Sequence, residues 1–422
     1  MEKPVEILQA SSLETCKWPE EDPHGVPQRT RIRVDEDVNL IKDCLSSAKI
    51  DRDAFVKNAR KEKLTKAETI MRILAHEKFQ MNGKEVRNEP KWIKSVETAI
   101  HDNKPIDLVY PQFCVIPNAP KRYTNMGTAA GEDTTIEFFK FINEHIKWYH
   151  EPGIRVHALA DASLYASAFQ THQTEVDAYY DSLKDRITAL NAGDCVHLYD
   201  YSELLRTECR TDYQRLYYKL GQKAWASPIE ELLPNTDIPT LRRSVRCSVN
   251  TRRFQLSHKD HLALFGPMEQ RNEKHPFWNT IEAMTDIAFR EVVTIRLACG
   301  DIDIASRLWP EAIRASCHKG QKNGRWAVGL RTYPEYFGSC KLLPYHGMPI
   351  IRRSGKGKPK LEIEPEVMLR SREDLIRVTI GDTDEVYAYI SEDIEKERMG
   401  SSYIYATPKG MRNDEFNSER WK

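Results

Sequence analysis

In the stretch PEAIRASCHKGQKNGRWAVGL, chemistry-bearing residues alternate with apolar ones. If AIRASCH is extended, Ile313, Ala315 and Cys317 share one face and Arg314, Ser316 and His318 the other. A guanidinium on a sheet face needs an anion, supplied either by a carboxylate of the same chain or by a substrate carboxylate or phosphate. An imidazole at the end of such a strand titrates near neutrality and can move a proton. Both readings stay open for Arg314 and His318: an internal ion pair beside an exposed histidine, or an anion-holding and proton-handling pair. Cys317 points away from its histidine neighbour and reads as core. The basic glycine turn after His318 reads as a hairpin, not as a phosphate loop.

Three further places carry usable groups. His346 in LLPYHGMPII stands just ahead of an expected strand, where it either caps a turn or faces a site. Lys121 and Arg122 precede the strong helix GEDTTIEFFKFINEHIKWYH, and two cations beside a helix N-terminus can hold a phosphate or carboxylate. Asp161 ends the segment PGIRVHALAD, and DCVHLYDY ends near Asp200. Gly127 and Gly131 lack the spacing of a nucleotide-binding loop, so no cofactor is expected. Nine cysteines include no close pair, which argues for reduced thiols and against a structural metal.

The elements that must hold these groups follow from periodicity. Residues 1–105 read as a charged, helical N-terminal region, with Ile70, Ile73, Leu74 and Phe79 at helical spacing in one segment. Residues 106–422 read as an α/β domain, in which short strands alternate with amphipathic helices as in a parallel sheet with crossovers. A helical insertion is expected at about 202–300, including SPIEELL with Ser227 as N-cap. Strands return at AIRASCH, WAVGL, MPII, KLEI and EVYAYI. Ligands of open α/β sheets bind beyond the carboxyl ends of the strands, which places Asp161, Asp200 and His318 on one rim.

Bulk properties narrow the classes. No stretch is apolar and long enough to span a bilayer, and the acidic start lacks the pattern of a signal peptide, so a cytoplasmic protein is expected. Lys plus Arg and Asp plus Glu both number 63, so net charge points to no general nucleic-acid binder and DNA is not an expected partner. Two local basic runs, LRRSVRCSVNTRRF and RRSGKGKPK, are either solvated faces or tracks for a nucleic-acid backbone.

Together these segments resemble the pyoverdine/dityrosine biosynthesis superfamily, the isonitrile synthases, from about residue 107 to about 390. The resemblance rests on NAPKR, the GED start of the next helix, YHEPGIRVHALAD, PEAIRASCH and LLPYHG, with Tyr345 where the family carries tryptophan. It implies a Rossmann-like core with a mostly parallel sheet and flanking helices, and action on an amino acid without metal. For an isonitrile synthase the implied substrates are L-tyrosine or L-tryptophan and ribulose 5-phosphate, with Arg314, Lys121 and Arg122 on the sugar phosphate. The chain departs from that pattern at ADASLYASA, where the family signature carries a glycine and a second acid and this chain has Ala162 and Ala166 or Ser167. The departure points to the fungal arginine-containing cyclodipeptide synthases, which draw amino acids from aminoacyl-tRNA. In that reading His318 or His346 is the base, Arg314 holds a carbonyl or carboxylate, and Asp161 and Asp200 receive an amine or guanidinium, with Ser316 beside them. A third reading is a non-catalytic amino-acid-binding member of the superfamily.

Overall fold

The computed structural model describes residues 30–79, 90–113, 122, 127–234 and 236–316, strand fragments at 321–322, 325–326 and 328–329, and 347–399 apart from 356, 371, 382 and 384. Lys121, Cys317, His318 and His346 lie outside the described residues. The chain begins with β1 (Thr30–Ile32), α1 (Asp37–Leu45), α2 (Arg52–Lys61), α3 (Lys66–Leu74) and α4 (Pro90–His101). It continues through β2 (Ile106–Phe113), α5 (Ala130–Ile146), β3 (Ile154–Ala160), α6 (Ala162–Tyr165), α7 (Gln173–Ala189) and β4 (Val196–Asp200). A run of helices follows: α8 (Tyr201–Glu208), α9 (Arg210–Ala226), α10 (Ile229–Leu232), α11 (Ile238–Arg246), α12 (His258–Phe265), α13 (Trp278–Ile302) and α14 (Ile304–Leu308). The remainder is β5 (Ile313–Ser316), β6 (Gln321–Lys322), β7 (Arg325–Trp326), β8 (Val328–Gly329), β9 (Met348–Arg353), β10 (Pro359–Glu364), β11 (Leu375–Thr379), β12 (Val386–Ser391) and α15 (Glu392–Met399).

The expected α/β architecture is present. Five strands form a parallel sheet in the order β4-β3-β2-β5-β8. From β2 the chain builds outward through β3 and β4, then returns to the other side of β2 with β5. The switch in strand order therefore lies between β2 and β5, where such sheets open a crevice. Period-two alternation gives the sheet two unlike faces. Leu108, Tyr110, Val156, Ala158, Val196, Ile313 and Ala315 are buried in one core with residues of α3, α5 and α7. On the opposite face Val109 and Leu159 join a second core built from the inserted helices. That face also carries Asp107, Arg155, His157, Tyr199 and Arg314.

A second sheet has the order β1-β11-β12-β9-β10 and packs on α1 and the start of α5. Residues near the N-terminus thus contribute a strand as well as helices. Arg31 of β1 is buried between Asp37 of α1, at 2.7 Å, and Glu395 of α15, and Arg398 reaches Asp37 at 3.0 Å. This four-charge network ties the two ends of the described chain together. β11 is not expected from sequence, because its LIRVT mixes apolar and charged residues too briefly to stand out.

Two local expectations can be compared with the structure. The segment after His318 does form an antiparallel pair, with Gln321 opposite Trp326 and Lys322 opposite Arg325. The helix expected from Ser227 begins later. Ser227 closes α9 through its backbone N–H to the Lys223 carbonyl, and Pro228 precedes α10. Proline's preset φ suits a helix start, so it takes the place that the Ser227 hydroxyl was expected to fill.

Candidate functional site

Val109 of β2 and Arg314 of β5 are direct partners across the switch point. Beside them lies a cavity of about 210 Å³, whose wall includes Lys91, Trp92, Asp303, Ser306, Trp309 and Arg314. Arg314 Nη1 donates to Asp303 Oδ1 at 2.9 Å, and both side chains keep some solvent exposure. Asp303 adopts a left-handed conformation, with φ of 46°, at the joint between α13 and α14. Such a position is unusual for a residue with a side chain, and here it places a carboxylate opposite the sheet arginine. A second hollow, about 280 Å³, is lined by α2 and α3 residues such as Phe55, Arg72 and His76 and by no strand.

The carboxyl end of β3 holds a second group of residues. Asp161 follows β3 and precedes α6, yet its side chain makes no capping hydrogen bond. Burial pushes its carboxyl up to about 8, and the Arg296 charge offsets that only in part. Tyr165, one turn on, is buried and its phenol is pushed far above the ordinary range by desolvation, against the pull of Arg296. Tyr201 follows β4 and hydrogen-bonds the Cys299 sulfur, and burial pushes that thiol up to about 12. Arg314 lies close enough to Tyr201 to act on its phenol. Arg296 and Cys299 are three residues apart on α13 and Asp303 is the residue that caps its C-terminus, so the end of this helix links the two groups. A neutral-poised acid, a cation and three aromatic hydroxyls or thiols around one strand end can recognise an amine or guanidinium while excluding water.

Asp200 ends the neighbouring strand, with Ala160 as its partner across β3. One oxygen of its carboxylate is engaged: Oδ1 accepts from the Ser202 and Glu203 backbone N–H groups at 2.8 and 3.2 Å and from the Ser163 hydroxyl at 2.6 Å. It caps α8.

Arg122 is also engaged. It is buried and ion-paired with Glu132, and it donates to the Gly127 carbonyl at 2.6 Å. Glu132 is further held by the Tyr179 hydroxyl at 2.8 Å and the Ala129 N–H at 2.8 Å. Ser316 ends β5, where its backbone pairs with Gly329. The structure therefore connects Arg314 to Asp161 only by way of Tyr201 and Cys299, gives Asp200 and Arg122 internal partners, and leaves Lys121, His318 and His346 outside the described residues.

A third polar group was not anticipated from sequence. On the sheet face below the cavity, Asp107 accepts from Arg155 Nε at 2.6 Å and meets His157 Nε2 at 2.9 Å. Burial alone would raise the Asp107 carboxyl, but these two partners outweigh it and hold it down at about 2. His157 stacks on Trp309 at 4.5 Å, and Trp309 forms part of the cavity wall. A signal existed in the helical spacing of Arg296 and Cys299 near the end of α13. Nothing local marked Asp107 and His157, because their pairing crosses two strands.

The two basic runs are largely neutralised. Arg242 and Arg246 reach Glu282 at 2.7 and 2.5 Å, and Arg252 reaches Glu175 at 2.5 Å. Arg352 pairs with Glu362 and Glu364, Arg353 with Asp393 and Glu397, and Lys360 with Glu362 at 2.8 Å.

Known proteins can now be set beside this geometry. Residues 96–263 match the family described as pyoverdine/dityrosine biosynthesis protein. The crystal structure of the PvcA protein from Pseudomonas aeruginosa superimposes with a TM-score of 0.51 at 17% identity, covering 78% of this chain and all of that one. No curated protein sequence matches. No helix of the described residues is long and apolar enough to cross a membrane.

Proposed function

We propose, from the premise that this chain belongs to the pyoverdine/dityrosine biosynthesis superfamily, that it is an amino-acid-condensing synthase fed by aminoacyl-tRNA, forming an arginine-containing diketopiperazine. The observation that carries this reading is Asp161: a strand-end carboxyl with no capping duty, set among aromatic hydroxyls and pushed up to about 8. A guanidinium or ammonium seated there would bring it to the ionised form and gain a charge-assisted hydrogen bond where the carboxyl is only partly open to solvent. A carboxyl with that property suits a cationic amino acid better than a sugar phosphate. Two of the three cations that a phosphate reading requires, Arg122 and Arg314, already face carboxylates.

The chemistry is two acyl transfers without change of oxidation state. In each, an α-amine attacks an ester carbonyl, a C–N bond forms, and the C–O bond to the tRNA ribose breaks. The ammonium proton passes to a base and then to the departing ribose hydroxyl. His318 or His346 is assigned as that base, and Asp161 as the group that receives the cationic side chain. Arg314, with Asp303 holding its fork, is aimed at a carbonyl oxygen on which negative charge develops.

The isonitrile reading retains one supporting observation. Lys91 joins Arg314 in the cavity wall, and two cations at one cavity can hold a phosphate. The readings are separated by incubating the purified chain with amino acids plus either ribulose 5-phosphate or a charging system of tRNA, synthetase and ATP, with products analysed by mass. A diketopiperazine that disappears on ribonuclease treatment is the expected result. A product made without tRNA and dependent on the sugar phosphate would replace it with the isonitrile assignment. No product under either condition, with amino-acid binding retained, identifies a non-catalytic member.

A further inference from the structure

We infer that the outer face of α9 is the surface on which the single-stranded 3′ end of a tRNA docks, an inference that rests on the aminoacyl-tRNA reading above. α9 is amphipathic in an unusual sense. Its inner side carries Tyr213 and Tyr217, and the Tyr217 hydroxyl donates to Glu291 of α13 at 2.8 Å. Burial pushes both phenols upward, with the Cys299 thiol adding to the effect at Tyr213. The inner side therefore belongs to the layer around Asp161. The outer side is 70% exposed at Tyr218 and 57% exposed at Trp225.

Those two rings are seven residues apart, two helical turns or about 10 Å, and so share one stripe. Large aromatic rings are rarely left this open. Arg215, Lys219 and Lys223 flank the stripe on one side, Arg210 lies on the other, and all four are exposed. Arg215 makes a surface pair with Asp212 at 3.2 Å, a contact that costs little to exchange. Among the described residues, no ion pair engages Arg210, Lys219 or Lys223. In the two sequence-obvious basic runs, by contrast, Arg242, Arg246, Arg252, Arg352 and Arg353 are paired with acids.

Trp225 is not a loose ring. The Arg290 guanidinium lies 5.5 Å from its centroid and donates to the neighbouring Ala224 carbonyl. One side of the indole is thereby braced, which reduces the ordering cost of stacking on the other. Aromatic platforms interleaved with free cations recognise single-stranded nucleic acid, with bases on the rings and phosphates on the cations. A second copy of this chain is a poor occupant, because a twofold contact through this face would set like charges against each other. The occupant must also deliver an aminoacyl group one helix thickness away, and the unpaired end of a tRNA combines that reach with that chemistry.

The test is binding of deacylated tRNA and of a short single-stranded RNA ending in CCA to the full chain, by fluorescence anisotropy at several salt concentrations. Trp225→Ala and Tyr218→Ala should each weaken binding about tenfold. The double reversal Lys219→Glu/Lys223→Glu should weaken it further and flatten the salt dependence. These positions are exposed, so circular dichroism and thermal unfolding should match the parent protein. Unchanged RNA affinity in all variants overturns the inference, as does a duplex RNA that binds as well as the single strand. Loss of self-association without loss of RNA binding would make the face a homodimer contact and likewise overturn it. If tRNA-dependent product forms at full rate in the variants, the docking surface is wrong while the proposed reaction stands. If RNA binds through α9 and no diketopiperazine appears, the reverse holds.

Discussion

Asp161 and Asp200 close adjacent strands of one parallel sheet, almost level with each other, and their side chains have opposite fates. Asp200 is followed by an eight-residue helix whose first N–H groups it caps, so its charge is spent inside the fold. Asp161 is followed by a single turn, α6, that it does not cap. Desolvation pushes Asp161 up to about 8, and the Arg296 charge and a backbone N–H bond offset it only in part. The same residue type at the same structural position is a cap in one case and is left without capping duty in the other. The difference lies in what the chain does over the next four residues.

The largest effect expected from this contrast is catalytic. Asp161→Asn should lower the rate of product formation by about 10²-fold or more, whereas Asp200→Asn, which keeps a capping side chain, should stay close to wild type. Steady-state rates measured on both variants check this. A comparably large effect on stability separates two arginines. Arg122→Ala strands the buried Glu132 and should cost about 3–5 kcal/mol, read as a lower midpoint in urea unfolding. Arg314→Ala breaks a partly exposed pair and should remove activity with a much smaller stability loss.

A pH series sharpens the account of Asp161. An acid whose folded pKa lies above its unfolded value holds its proton in the native state, so its contribution to stability falls as pH rises from about 4 to about 8 and then levels. Asp161→Asn should therefore melt higher than wild type at pH 7 and similarly to it at pH 4. Over the same window, affinity for an arginine ligand should rise by up to about tenfold per pH unit and flatten above pH 8, because binding releases the proton. The Asn variant should show no such slope. The smallest expected effect is at the cap itself: Asp200→Ala should cost about 1 kcal/mol, visible in urea unfolding with activity retained.

Much of the fold was legible because it is written in local periodicity. The strands ending at Asp161 and Asp200, the helices of the insertion and the parallel sheet all follow from alternation and helical spacing. β1 and β11 were not legible, since three and five mixed residues become strands only through non-local pairing, β1 with β11 and β11 with both β1 and β12. The site was legible in part. Arg314 and Asp161 could be singled out from strand ends, but Asp303 gains its importance from a left-handed joint that sequence does not announce. The basic runs show a similar limit: a charge run looks free until the acids that fold against it, such as Glu282 and Glu362, are known. The cations on α9 were overlooked because they are spread along a helix and do not cluster in sequence.

The most direct test of the central claim is a single-turnover reaction with radiolabelled arginyl-tRNA, comparing wild type, Asp161→Asn and Asp200→Asn. The account predicts transfer of label from tRNA into a diketopiperazine by wild type and Asp200→Asn, and almost none by Asp161→Asn. Equal transfer by all three, or a labelled product that forms from free arginine and ribulose 5-phosphate without tRNA, would contradict it.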